Sequence, residues 1–392
     1  MADPTGYRFP ILNSDGTSSS TVVDMTDMFV RKELFLDAGI WTWGYNGHGQ
    51  LGNGTTTDYS SPIQIGSLTS WKQVSVGRYN FCAIKTDGTL WTCGYNGYGE
   101  LGNGTITNYS SPIQIGSLTS WKQVSGGYNS YITTAIKTDG TLWGWGRNNY
   151  GQLGNGTITN YSSPIQIGSL TSWKQVSCSG NYTTATKTDG TLWAWGYNGS
   201  GNLGNGTTTN YSSPIQIGSL TSWKQVACNQ SHMSAIKTDG TLWAWGGNLF
   251  GNLGNGTTAF YSSPIQIGSL TNWKEVSCGY YSTAATKTDG TLWAWGYNGS
   301  GNLGNGTTTN YSSPIQIGLL TNWKQISGGY YNTAAIKTDG TLWKWGRNDY
   351  GQLGNGTNTN YSSPIQIGSL TSWKQVSGGY RITTAIQSPD LP

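Results

Sequence analysis

The chain has 392 residues, of which 10% are charged and 13% aromatic, and a formal net charge of +4. So few charges and so many rings argue against a disordered chain, despite the abundant Gly and Ser. No apolar run approaches the roughly 20 residues of a membrane-spanning helix, and Met1, Ala2, Asp3 and Pro4 do not begin a secretory signal.

Residues 1–40 stand outside any repeat. Six acids (Asp3, Asp15, Asp24, Asp27, Glu33, Asp37) face Arg8, Arg31 and Lys32 there. The first part, with Asn13-Ser14-Asp15-Gly16 and a serine run, reads as an extended, turn-rich arm. Residues 22–36 are apolar, and either a short helix or an edge strand would fit them. This stretch is expected to attach the protein to something else through Val22, Val23, Met25, Met28, Phe29, Val30, Leu34 and Phe35.

From Trp41 onward a unit of about 50 residues recurs, which is the mark of a repeat architecture. Trp-x-Trp-Gly starts at Trp41, Trp143, Trp193, Trp243, Trp293 and Trp343. A seventh copy, Trp91-Thr92-Cys93-Gly94, lacks the second Trp. In the unit that begins at Trp173, residues 173–177, 183–187, 191–195 and 213–217 are expected as strands. Asp189-Gly190 makes the tight turn between the second and third. Pro214 cannot donate to a ladder, which places the fourth strand at an outer edge. Leu192 on one face and Trp193 and Trp195 on the other suit a third strand held between neighbours. The expected fold is all-β: a seven-bladed propeller of four-stranded antiparallel blades over residues 41–392, with a non-repeat N-terminal arm over 1–40. Residues 383–387 are expected to pair with 40–43 and close the ring, although residues 34–39 imitate the same strand and turn.

The sequence Thr-Asp-Gly-Thr-Leu-Trp-x-Trp-Gly-x-Asn, then Gly-x-Leu-Gly-Asn-Gly-Thr, then Ser-Ser-Pro-Ile-Gln-Ile, resembles the repeats of the regulator of chromosome condensation family over residues 41–387. The resemblance implies a seven-bladed propeller closed by its termini. Fold does not fix function. Nucleotide exchange on a small GTPase would call for a dedicated insertion and a basic tail, and neither is evident. Ultraviolet sensing would call for clustered Trp and Arg, where this chain has residues such as Tyr128, Asn129 and Ser130. Inhibition of a secreted enzyme through an aromatic face remains open.

No catalytic residue, metal site or cofactor is expected. His48 and His232 lie in different repeats without partners nearby. Asp87, Asp139, Asp189, Asp239, Asp289 and Asp339 belong to turns. Cys178, Cys228 and Cys278 read as small buried residues. Asn-Gly-Thr, as at Asn53 and Asn103, reads as a turn rather than a glycosylation site. The lysines recur evenly along the chain, which gives no basic stripe and little support for nucleic-acid binding.

Two variable loops per repeat fall on one rim, opposite the Asp-Gly turns. They carry Arg78, Tyr79, Phe81, Tyr128, Tyr131, Arg147, Tyr150, His232, Phe250, Tyr280, Tyr281, Tyr330, Tyr331, Arg347 and Tyr350. Tyr and Arg amid Asn, Ser and Gly is the composition of a recognition surface. The sequence therefore points to a non-enzymatic binding or structural module. Its partners are expected to be proteins, such as other virion proteins or a host surface receptor, with no nucleic acid and no membrane insertion. A displayed, virion-borne position is expected, with the cytoplasm as the other location. The alternatives are an intracellular regulator such as an exchange factor, or an enzyme inhibitor.

A two-residue turn at Asp87-Gly88 would set Cys82 opposite Cys93, as Thr134 would face Trp145 and Thr184 would face Trp195. Close sulfur contact is then expected, with a disulfide in oxidising surroundings. A bulged turn would shift that register by one.

Overall fold

The computed structural model describes residues 38–67, 69–127 and 131–388, together with the short strands Ile11–Leu12 and Ser18–Ser19. The chain divides into units 1–37 and 38–392. In the first, Ile11–Leu12 pairs antiparallel with Ser18–Ser19. The arm residues Val22, Val23, Met25, Met28, Phe29, Val30, Leu34 and Phe35, and the helix-or-strand question they raise, lie outside the described residues, as does Tyr128.

The second unit is a seven-bladed propeller, each blade a four-stranded antiparallel sheet. Blade two runs in simple order: Trp71–Val76, Asn80–Lys85, Leu90–Gly94, Tyr109–Gln114. Blades three to seven repeat it, with inner strands beginning at Trp121, Trp173, Trp223, Trp273 and Trp323. Blade one is assembled from both ends: Trp373–Gly378 and Ile382–Gln387 join Gly39–Gly44 and Tyr59–Gln64. Ile386 lies opposite Ile40 and Thr383 opposite Trp43, so the ring closes by strand pairing.

Trp packing explains how such short strands hold a ring. Trp173 meets Trp193 and Trp195 edge-on at 6.0 and 5.9 Å, an arrangement that suits the ring quadrupoles. Lys187 places its Nζ 3.6 Å over the Trp193 ring. Buried Trp195 donates from Nε1 to the carbonyl of Gln152 in the preceding blade at 2.9 Å. The same lysine–tryptophan stack and indole bond recur at Lys237, Trp243 and Trp245.

The inner strands are joined by side chains. Gln175 donates from Nε2 to Val226 O at 3.1 Å and accepts from Val226 N at 3.2 Å. Gln73, Gln123, Gln225, Gln325 and Gln375 make the same double bridge, and Gln375 to Val74 completes the circle. A second set, interrupted at Ala227, uses serine: Ser75 Oγ accepts from Gly126 N, and Ser377 Oγ from Val76 N. Each such bond satisfies a backbone group at the free edge of an inner strand.

The hairpin turn differs from the expected two-residue form. Gly88 N donates to Lys85 O and Lys85 N to Thr89 O, both at 3.0 Å, so Thr86, Asp87 and Gly88 form a three-residue loop. Gly88 has φ +81°, and a Cβ there would lie 2.0 Å from Thr119 O of the next segment. Only glycine adopts that conformation at that approach without strain. The extra loop residue moves the register by one. Cys82 stands opposite Thr92, and Phe81 stands opposite Cys93. Cys82 and Cys93 therefore point to opposite faces, and both are free thiols. Cys82 Sγ lies 3.7 Å from Thr133 Oγ1 in blade three, whereas Cys93 Sγ faces Gln50 O in blade one at 3.8 Å. The expected sulfur contact is thus overturned. The other hairpins shift likewise, with Thr133 facing Trp145 and Thr183 facing Trp195.

Candidate functional site

Both variable loops of each repeat reach the rim opposite the Asp-Gly turns. The first joins inner and second strands. The second leaves the third strand through a scaffold built on a buried asparagine. Asn46 accepts from Leu51 N at 2.8 Å and donates from Nδ2 to Asn53 Oδ1 and Thr55 O at 3.2 and 3.0 Å. Asn53 in turn accepts from Thr55 N and Oγ1, the turn role expected of Asn-Gly-Thr. These bonds fix the loop that presents Tyr45 and His48. The two loops touch: Tyr95 N donates to Tyr79 O at 2.8 Å, and Arg347 N to Tyr331 O at 2.7 Å.

On this rim the half-buried rings form a continuous arc. Phe250 meets Tyr281 and Tyr297 at 5.0 and 5.1 Å, and Tyr297 meets Tyr331 at 4.7 Å. Tyr280 meets Tyr330 at 4.6 Å, and Tyr330 meets Tyr380 at 4.3 Å. Tyr380 leads to Tyr79 at 5.6 Å, and Tyr79 to Tyr45 and Tyr95. Tyr95 meets Tyr131 at 5.4 Å, and Tyr131 meets Tyr98 at 4.8 Å. The arc runs from the edge of blade five through blades six, seven, one and two to blade three. Tyr150 pairs with Tyr197 beyond it, and Tyr350 joins it through Tyr45.

All four arginines of residues 38–388 are on this rim. Arg381 lies 4.3 Å from the Tyr350 ring centroid and 4.9 Å from Tyr380. Arg78 lies 5.2–5.4 Å from Tyr79, Tyr131 and Tyr380. Arg147 covers Tyr98, and Arg347 covers Tyr330 while pairing with Asp349 at 2.5 Å. Burial pushes the phenols of Tyr45, Tyr131, Tyr280 and Tyr331 above their ordinary value, which keeps them as hydrogen-bond donors. Burial also lowers His48 below the usual imidazole range, favouring its neutral form. The surface therefore offers stacked rings, neutral hydroxyls and guanidinium groups, three of them unpaired by acids among the described residues.

Two residues assigned to the rim from sequence are not on it. Phe81 and His232 belong to the second strand, and both are fully buried. The register shift turns Phe81 inward against Cys93. His232 bonds through Nε2 to Thr283 Oγ1 at 2.8 Å, and burial pushes its pKa down to about 3. It is a neutral core spacer. Beside it, Tyr182 is also turned in, with its hydroxyl bonded to the carbonyls of Asn229 and His232. Four residues missed by the sequence reading are central to the arc: Tyr95, Tyr297, Tyr380 and Arg381. Aligning Tyr380-Arg381 with Tyr330-Tyr331 would have found the last two.

Among the described residues no group of three or more His, Cys, Asp or Glu is placed to hold a metal ion. Cys178, Cys228 and Cys278 are buried free thiols, with burial raising each one.

The fold is shared with known proteins. Human WBSCR16 superposes with a TM-score of 0.81 at 20% identity, over 90% of this chain and 100% of that one. Prp20p from Saccharomyces cerevisiae superposes at 0.80 with 19% identity, over 91% and 93%. The ultraviolet-B receptor UVR8 of Arabidopsis thaliana is 31% identical over 132 residues, which is 33% of this chain and 30% of the receptor. The regulator of chromosome condensation (RCC1) repeat matches residues 37–84, 87–132, 139–186, 189–236, 239–286, 289–336 and 339–386. With seven matches spanning almost all of the propeller, the chain belongs to the RCC1 repeat family.

Proposed function

We propose that the protein is a non-enzymatic binding module that recognises a protein partner through the Tyr/Arg arc. The carrying observation is the continuity of that arc across neighbouring blades, with every propeller arginine stacked on it. Rigid aromatic area and adaptable polar groups are what protein recognition surfaces use. Similar propellers support the class: the yeast structures concern binding of Prp20p to Gsp1p and histones, and Kap60 bound to yeast RCC1. The finer reading is a displayed protein, tethered by residues 1–40 to a virion or comparable assembly and presenting the arc to a virion protein or a host surface receptor. A sparsely charged, repeated body with a separate apolar tether supports it.

The test uses the full chain as bait, beside a variant carrying Tyr79→Ala, Tyr330→Ala and Arg381→Ala. A partner lost by the variant, with the melting temperature kept, supports the arc. A partner retained by the variant overturns it. Accelerated nucleotide release from a small GTPase would favour the exchange-factor reading over display.

A further inference from the structure

At the opposite end of the propeller, lysines that are evenly spaced along the sequence come together. Each inner strand begins Trp-Lys, giving Lys72, Lys122, Lys174, Lys224, Lys274, Lys324 and Lys374, and all seven are exposed. The start of each inner strand lies beside the Asp-Gly turns: Thr86 N donates to Ser70 O, and Trp121 N to Gly88 O. Successive inner strands approach within 8 Å between Cα atoms, around the whole circle. The residue after each lysine is the Gln or Glu that bridges to the next blade, so the seven lysines encircle one mouth of the axial channel.

Three observations point to a ligand for this crown. First, the other recurrent lysine is already used, stacked over a tryptophan as Lys187 is over Trp193, whereas the crown lysines have no such ring. Second, the only ion pair among the described residues is Arg347–Asp349, on the other rim. The crown is therefore a closed circle of like charges with no acid in contact. Like charges gathered around one mouth repel one another, the more so at low salt. Third, the glutamine that follows each lysine spends its side-chain amide on the next blade, as Gln73 does on Val124, so it is not a partner for the ammonium groups.

The acids nearby define what fits. Asp87, Asp139, Asp189, Asp239, Asp289 and Asp339 are on turns between second and third strands, about one strand spacing of 5 Å farther from the axis. Each already accepts from the Thr two residues on, as Asp139 does from Thr141 N and Oγ1. Glu275 interrupts the glutamine circle once. Each aspartate also has the stacked lysine two residues before it, as Asp139 has Lys137, so the outer circle is close to neutral while the centre is positive. A flat duplex or membrane would meet the aspartates as well, while a compact anion on the axis meets the ammonium groups and, beside Lys274, the single carboxyl of Glu275.

We propose that this mouth binds a compact polyanion carrying several phosphate groups. Lysine suits the role, because its point charge on a flexible stem follows phosphate without fixed geometry.

The test is calorimetric titration of the full chain with inorganic tripolyphosphate and, separately, with inositol hexakisphosphate, at low and at physiological salt. The two probes separate a linear from a cyclic source of the same chemistry. One ligand per chain is expected, with affinity falling as salt rises. The Lys72→Gln, Lys174→Gln, Lys324→Gln variant should lose about tenfold or more through its missing charge-assisted contacts, with an unchanged melting temperature. Arg147→Gln with Arg347→Gln, on the other rim, should leave binding intact. Absence of binding by both probes at low salt overturns the proposal. So do several ligands per chain, unchanged affinity in the lysine variant, or tighter binding of a DNA duplex at equal phosphate.

Discussion

Phe81 and Cys93 face each other across the hairpin of blade two and together fill the space that one tryptophan fills elsewhere. In the other six blades the second-strand position holds Thr133, Thr183, Met233, Thr283, Thr333 or Thr383, and its partner is Trp145, Trp195, Trp245, Trp295, Trp345 or Trp43. Blade two has moved the aromatic ring from the third strand to the second. Both residues are wholly buried in one cluster with Leu51 and Trp71.

Restoring the pattern by halves should therefore fail. Phe81→Thr alone leaves a cavity and is expected to cost about 3–5 kcal/mol. Cys93→Trp alone overfills the site, at about 1–3 kcal/mol. The double variant should recover most of the loss, because Trp can also donate to the Gln50 carbonyl. A urea-denaturation double-mutant cycle measures this, and additive losses would show that the two residues do not compensate.

Glu275 is the one carboxylate in the glutamine circle. Burial raises its pKa to about 7, against an ordinary value near 4.5. Below that range both folded and unfolded chains hold the proton. Between about 4.5 and 7 the folded chain holds more protons than the unfolded one, so stability falls as pH rises through this window. Glu275→Gln should flatten the slope. It should also add about 1 kcal/mol at pH 8 by supplying an Nε2 donor to Ile326 O. Identical pH profiles for the two proteins would disprove the assignment.

Lys344 stands where Ala194, Ala244 and Ala294 stand in other blades. It is fully buried, with Nζ donating to Gln352 O at 2.6 Å and bonded to Thr383 Oγ1 of the closing blade. Burial holds its pKa well below the usual lysine value. The unfolded chain therefore binds a proton that the folded chain gives up, and stability rises with pH between the folded and unfolded pKa values. Lys344→Ala should remove this alkaline gain. Chemical denaturation between pH 7 and 10 reads it, and parallel curves would mean that Lys344 keeps its charge.

Deleting residues 380–392 removes the strand Ile382–Gln387, which lies between the inner and third strands of blade one. Trp43 loses its cross-strand partner, and the core loses Ile382, Ala385 and Ile386. Loss of a single cooperative thermal transition is expected, with a red shift in tryptophan emission. An unchanged melting temperature would mean that closure contributes little.

The blade order was legible because each strand carries its own mark: Trp-x-Trp-Gly, Ser-Ser-Pro, Thr-Asp-Gly. The register was not. Asp-Gly fits a two-residue turn and a three-residue loop alike, and the choice rests on how Gly88 meets Thr119 of the next segment. That single residue exchanged Cys82 for Phe81 opposite Cys93. Phe81 reads as part of a variable loop on the rim, whereas the strand Asn80–Lys85 already holds it. His232 failed differently, because a polar residue beside a variable loop gives no sign that Thr283 awaits it. The lysine crown was hidden by the repeat itself: even spacing along a chain becomes proximity once the chain is wound around an axis.

Closure by strand exchange between the two ends has a consequence for assembly. Before it closes, a folding chain carries an unfilled place beside Gly39–Gly44, and the strand Ile382–Gln387 of another molecule fits it in the same register. Which strand arrives first depends on the local concentration of each. Refolding at high protein concentration should therefore yield interlocked dimers that dilution alone does not separate, while dilute refolding yields monomers of identical blade structure.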